Sequence, residues 1–176
     1  NMLEIGGDEH VGHGGEGTFI QTGGDHMVGG DLYVAEGPAS SGSYELYGTQ
    51  SVKSSLCVTS EEFVGHQGAG TFTQLGGTHE TSSYFYVGRL SDATGEYELG
   101  ANGTNPGVLS VGPDDRAGEY IGDWGTGSFT QTDHSTHLVH GHLALGHQAS
   151  GQGSYHLSGD PNRTKLDVWG DDNEES

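Results

Sequence analysis

The chain repeats itself at a long interval. Gly17-Thr18-Phe19-Ile20-Gln21-Thr22-Gly23-Gly24-Asp25-His26 returns as Gly70-Thr71-Phe72-Thr73-Gln74-Leu75-Gly76-Gly77-Thr78-His79. It returns again, altered, as Gly127-Ser128-Phe129-Thr130-Gln131-Thr132, with His137 in the last place. Phe19 and Phe72 are 53 residues apart, and Phe72 and Phe129 are 57 apart. A period of this size marks a repeat architecture, in which units that cannot bury an apolar face alone do so by stacking.

Each repeat divides again. Tyr44, Tyr97 and Tyr155 fall between the Phe landmarks, each in Gly-x-Tyr-x-Leu. The series Phe19, Tyr44, Phe72, Tyr97, Phe129, Tyr155 is spaced by 25, 28, 25, 32 and 26 residues. The unit is therefore a coil, and the longer repeat is two unlike coils. Short alternating runs of Thr, Val, Tyr and Phe bounded by Gly are strand signals, and helical periodicity is missing. Three short strands and three bends use up such a coil at about 3.3 Å per residue, and coils stack about 4.8 Å apart.

The expectation is an all-β parallel β-helix, or β-solenoid. It has about six coils of 25–28 residues, arranged as three two-coil repeats, in the right-handed sense. One domain spans 1–176, with repeats near 3–55, 56–108 and 109–165. Residues 166–176 hold the start of a further repeat and an acidic tail. Positions i and i+2 share a strand face, so Phe19 points inward with Gln21, Tyr44 with Leu46, and Leu56 with Val58. Phe and Tyr alternate up one interior column, Gln and Leu up the next. The glutamine amides need partners, which the Gly-Gly bends or the tyrosine hydroxyls can supply.

Composition alone argues for disorder. Leu, Ile, Val and Phe make up only 32 of 176 residues, and the net charge is −20. The periodic placement of those residues outweighs it, because a narrow core filled coil by coil needs fewer of them. Five basic residues against 25 acidic ones argue against nucleic acid and anionic membranes as partners. No apolar run is long enough to span a bilayer. Cys57 is the single cysteine, so an intrachain disulfide is excluded, and the alternation points its thiol outward.

At the Gly-Thr-Phe-x-Gln-x-Gly-Gly-x-His and Gly-x-Tyr-x-Leu-x-Gly landmarks the chain resembles bacterial extracellular β-strand-repeat proteins, autotransporter-passenger-like and adhesin-like. The resemblance covers nearly all of the chain. It implies a secreted, cell-surface protein used as a stalk, adhesin or fibre component, and brings no shared catalytic residues. The chain departs from the pattern in being short, rich in His and poor in Asn.

Several constellations bear on partners. His137, His140 and His142 lie in a histidine-rich run, where imidazoles at strand spacing suit a transition metal. His26, His79 and His137 recur in one column, at bends where they would bond backbone groups. The acidic pairs Asp8-Glu9, Glu61-Glu62, Asp114-Asp115 and Asp171-Asp172 would supply oxygen ligands for Ca2+, although the calcium-binding nonapeptide is missing. Tyr33 and Tyr86, on outer faces, are the candidate row for a glycan. Leu3-Glu4-Ile5 and Leu166-Asp167-Val168 are in the same phase. They predict a homo-oligomer or filament stacked end to end through Leu3, Ile5, Leu166, Val168 and Trp169, or membership of a longer stalk. A carbohydrate-binding or carbohydrate-cleaving β-helix is the alternative. Against cleavage, the basic residues form no cluster and no carboxylate pair stands out.

Overall fold

A computed structural model describes residues 1–113, 117–132 and 134–170. The described residues form strands and no helix. The first coil is β1 (Met2–Ile5), β2 (Glu9–Val11) and β3 (Glu16–Gln21). The second is β4 (Gly24–Val28), β5 (Leu32–Val34) and β6 (Ser41–Tyr47). The third is β7 (Ser54–Val58), β8 (Glu62–Val64) and β9 (Ala69–Leu75). The fourth is β10 (Gly77–Thr81), β11 (Phe85–Val87) and β12 (Thr94–Gly100). The fifth is β13 (Gly107–Val111), β14 (Glu119–Ile121) and β15 (Thr126–Gln131). The sixth is β16 (Thr136–Val139), β17 (Leu143–Leu145) and β18 (Gln152–Leu157), and β19 (Lys165–Val168) opens a seventh.

Every third strand pairs in parallel. Sheet one runs β1-β4-β7-β10-β13-β16-β19, sheet two β2-β5-β8-β11-β14-β17, and sheet three β3-β6-β9-β12-β15-β18. This is a three-sided β-solenoid with parallel sheets. No helix among the described residues is long and apolar enough to cross a membrane.

The register stacks like on like. Phe19, Tyr44, Phe72, Tyr97, Phe129 and Tyr155 form one column of sheet three. Gln21, Leu46, Gln74, Leu99, Gln131 and Leu157 form the next. Adjacent ring centroids in the aromatic column are 4.7–4.8 Å apart with nearly parallel planes, which is the strand spacing itself. Column partners repeat at this distance, so flat side chains stack through the axis of the rod.

The other two sheets alternate more sharply. In sheet one the inward column reads Leu3, His26, Leu56, His79, Leu109, His137, Leu166. In sheet two it reads Glu9, Leu32, Glu62, Phe85, Glu119, Leu143. Polar and apolar residues thus alternate up each column, the glutamates in the odd coils and the histidines in the even ones, so that each polar layer spans two coils. The expected bend positions of His26, His79 and His137 are corrected: they are strand residues pointing into the core, and all three are buried.

The corner after sheet two begins with a left-handed residue in every coil. Gly12, Gly65, Gly88, Gly122 and Gly146 occupy it with φ between 65° and 82°. A Cβ on Gly65 would sit 2.1 Å from the Thr94 carbonyl oxygen. Ala35 holds the same place in the second coil, at φ 65°. Coil length varies most at the corner after sheet three. There residues 48–53 and 101–106 form long loops, joined by Gln50 Nε2 donating to Thr104 Oγ1 at 2.5 Å.

Candidate functional site

The most elaborate chemistry lies inside the rod. In the second polar layer, His79 Nε2 meets Glu62 Oε2 at 2.8 Å and His79 Nδ1 meets Tyr97 Oη at 2.9 Å. Tyr97 Oη donates to Gln74 Oε1 at 2.7 Å. Gln74 Nε2 donates to the carbonyls of Gly77 and Val108 at 3.1 and 3.0 Å. Those two carbonyls fix the orientation of the amide, since only an NH2 group can face both. The chain of donors then follows. Tyr97 gives its one hydrogen to Gln74, so His79 Nδ1–H donates to Tyr97, and a single proton is left between His79 and Glu62. Whichever of the two holds it, the pair carries no net charge, so Glu62 can be fully buried. Thr81 Oγ1 adds a donor to Glu62 Oε2 at 2.5 Å.

The same order recurs in the flanking polar layers. Glu9 and His26 are 3.1 Å apart, and His26 Nδ1 is 2.8 Å from Tyr44 Oη, which donates to Gln21 at 3.0 Å. Glu119 and His137 are 2.8 Å apart, and His137 Nδ1 is 2.9 Å from Tyr155 Oη, which donates to Gln131 at 2.5 Å. In these outer layers the carboxylate and imidazole are at ion-pair distance but lack hydrogen-bond alignment. Each imidazole lies flat on the phenylalanine of its repeat, at 4.9, 4.8 and 4.7 Å for Phe19, Phe72 and Phe129. Burial pushes the phenols of Tyr44, Tyr97 and Tyr155 well up, and the neighbouring glutamates push the same way. The side chains of the central layer are enclosed. The glutamines bond both the tyrosine hydroxyls and backbone carbonyls at the start of the sheet-one strands.

The outer face of sheet two carries a second stack: His10, Tyr33, Phe63, Tyr86 and Tyr120, with centroids 5.1, 4.9, 5.2 and 5.2 Å apart. Phe63 and Tyr86 are buried despite facing outward. The Arg89 guanidinium covers the Tyr86 ring at 4.2 Å. Burial raises the Tyr86 phenol to about 12 against the opposing pull of Arg89. Tyr33 and Tyr86 spend their ring faces on one another's neighbours, so the row offers edges to solvent, where a sugar needs faces.

Beside that stack, the corner places His13, Glu36, His66, Arg89, Asp123 and His147 in one line. Arg89 bonds Asp123, and His147 Nδ1 is 2.8 Å from Asp123 Oδ1. Burial lowers the His66 imidazole. Glu36 receives both His10 and His13. Burial alone would raise its carboxyl, but the bonds from His13 and the charge of His10 turn the net shift downward.

The histidine-run expectation is corrected by this geometry. His137 is buried, with Glu119 and Tyr155 at its two nitrogens. His140 lies at the bend, 3.2 Å from Ser110 Oγ and edge-on to Trp169 at 4.5 Å. His142 packs against Tyr120 at 4.9 Å. His137, His140 and His142 therefore do not converge. Among the described residues, the His/Cys/Asp/Glu group close enough to share one ion is His10, His13 and Glu36, none of which stood out in the sequence.

The acidic pairs also divide. Asp8 faces solvent and accepts from the Asp31 N–H at 2.9 Å, while Glu9 turns inward to His26. Glu61 and Glu62 split the same way. Neighbouring carboxylates that point to opposite sides of the coil wall cannot chelate one Ca2+. Asp114-Asp115 and Asp171-Asp172 lie outside the described residues. Cys57 points outward between Met27 and Glu80, as expected.

At the two ends of the rod, Leu3, Val168 and Trp169 are exposed and Ile5 and Leu166 half-buried. Met2 and Ile20 add to the first end, Leu145 and Leu157 to the last. Comparison with protein-family models, curated proteins and solved structures finds no match for this chain.

Proposed function

We propose that this chain is a structural segment of an extracellular β-solenoid rod, lengthened by coils added at its ends. The observation that carries the reading is the phase of β19. It occupies the level of sheet one that β1 occupies three repeats earlier: Leu166 pairs with His137 as Leu3 pairs with His26. β19 pairs with β16 on one side only, so coils added at that edge would continue all three sheets. Sequence following it in a longer stalk would supply them.

A second copy can supply them too, by strand replacement. Its β2 and β3 dock on β17 and β18, and β19 takes the place of its β1 beneath β4. Every column then keeps its alternation: Glu9 follows Leu143, Phe19 follows Tyr155, and Leu166 lies between His137 and the incoming His26. Open strand edges favour such templating. The net charge of −20 opposes side-by-side clumping. An adhesive role on a cell surface is consistent with such a rod.

Electron microscopy of the purified chain and of two truncations tests this reading. The account expects end-to-end rods from the whole chain and from a version lacking residues 1–5. It expects single short particles when residues 1–5 and 165–176 are both removed, because no sheet-one strand is then left to fill the junction. Single particles from all three, at every concentration, contradict the stacking arm.

A further inference from the structure

We infer that His10, His13 and Glu36 form a binding site for one divalent transition-metal ion, of the Zn2+, Cu2+ or Ni2+ kind, clipping the first coil to the second. The site comes from coil register: His10 is the outward residue at the centre of β2, and the left-handed turn at Gly12 brings His13 round to the same side. Glu36 is the residue one coil on, held there by its own N–H donating to the Gly12 carbonyl at 3.1 Å. Both Nδ1 atoms converge on one carboxylate oxygen: His10 Nδ1 is 2.7 Å from Glu36 Oε2, and His13 Nδ1 bonds the same atom. The three donor atoms all lie within 4.8 Å of one another.

An ion about 2.05 Å from each donor sets donor–donor edges of about 2.9 Å in an octahedron and about 3.3 Å in a tetrahedron. The His10–Glu36 edge has to open by about 0.2 Å to reach the first and about 0.6 Å to reach the second; the His13–Glu36 edge is the shorter and opens further, by a turn of the exposed His13 side chain. Two imidazoles and one carboxylate favour borderline transition ions over Ca2+ or Mg2+, which take oxygen. The His10 ring is fixed from behind by Tyr33, stacked at 5.1 Å with an 8° interplanar angle. Tyr33 is in turn tied to Asp31 at 3.0 Å. With the His13 side chain 74% exposed, the outer positions of the ion are open to water. Asp8 and Asp31 nearby add to a field that gathers cations.

Calorimetric titration of the metal-stripped full chain with ZnCl2, and separately with CaCl2, tests the site. The expected result is one Zn2+ per chain and no heat from CaCl2 over the same range. His13→Ala and Glu36→Gln each weaken Zn2+ binding by at least about tenfold, and His134→Ala leaves it unchanged. In the Cu2+-loaded protein, electron paramagnetic resonance reads coupling to two imidazole nitrogens, and to one in His13→Ala. Circular dichroism checks the fold of each variant; the exposed His13 can be changed without disturbing the core. No Zn2+ heat overturns the inference. So does a site indifferent to both His13→Ala and Glu36→Gln, or one that takes Ca2+ equally well.

Discussion

His79 Nε2 lies 2.8 Å from Glu62 Oε2, and neither side chain is exposed at all. In a chain this acidic, a fully enclosed carboxylate needs a partner that leaves no net charge behind. Removing only one partner leaves a buried group with an unmet bond, which costs about 3–5 kcal/mol. His79→Leu is expected to destabilise by that amount in denaturant unfolding. Glu62→Leu/His79→Leu/Thr81→Val converts the layer to the kind of its neighbours, which carry Leu56, Val58 and Phe85. It should fall within about 1–2 kcal/mol of the parent. Equal losses in the single and the triple variant would mean that the pair has no coupled role.

The buried phenols give the rod an alkaline limit. Burial first, then the neighbouring glutamates, raise Tyr44, Tyr97 and Tyr155 above their unfolded value, which is about 10. A raised folded value means that the folded state holds its proton longer. The stabilisation is complete below about pH 10 and is lost as pH rises beyond it, by up to about 1.4 kcal/mol per unit for each group. Tyrosinate absorbance from these three should appear in one step with loss of the β-sheet signal. Ionisation with the sheet signal intact would contradict their enclosure.

Two substitutions at one corner should differ sharply. Gly65→Ala forces a Cβ to 2.1 Å from the Thr94 oxygen, at φ 77°, and is expected to cost about 3 kcal/mol or more. Ala35→Gly relieves left-handed strain of about 1–2 kcal/mol. It also gives up a buried methyl of about 0.8 kcal/mol and adds unfolded-state freedom of about 0.5–1 kcal/mol. It should lie within about 0.8 kcal/mol of the parent. Thermal unfolding of the two variants reads the difference.

The columns of sheet three are legible in the sequence because every second residue of Gly-x-Phe-x-Gln and Gly-x-Tyr-x-Leu has a counterpart one coil away. The histidine column is harder. Gly23-Gly24 and Gly76-Gly77 read as bends, and a residue just beyond them reads as part of the bend. Yet Gly24 and Gly77 already belong to β4 and β10, so His26 and His79 point inward. Glu9 and Glu62 are harder still, because an acidic residue beside another acidic residue reads as solvated. Only the strand parity at Val11 and Val64 reveals which of each pair turns inside. His10, His13 and Glu36 are invisible as a group, since 23 residues separate His13 from Glu36 and only the coil register brings them together.

Strand replacement at the rod ends makes the most exposed prediction. In it Asp167 takes the position of Glu4, which pairs with Met27. Neighbouring strands lie about 4.8 Å apart, within the span of about 4.4–6.8 Å that a disulfide bridges. The measurement is oxidation of the Met27→Cys/Asp167→Cys variant, with Cys57→Ser added because Cys57 also neighbours Met27. The account predicts a ladder of covalent multimers on a non-reducing gel, collapsing to one band on reduction. A single monomer band from folded protein, with both thiols still free after the oxidant, would contradict end-to-end stacking through β19.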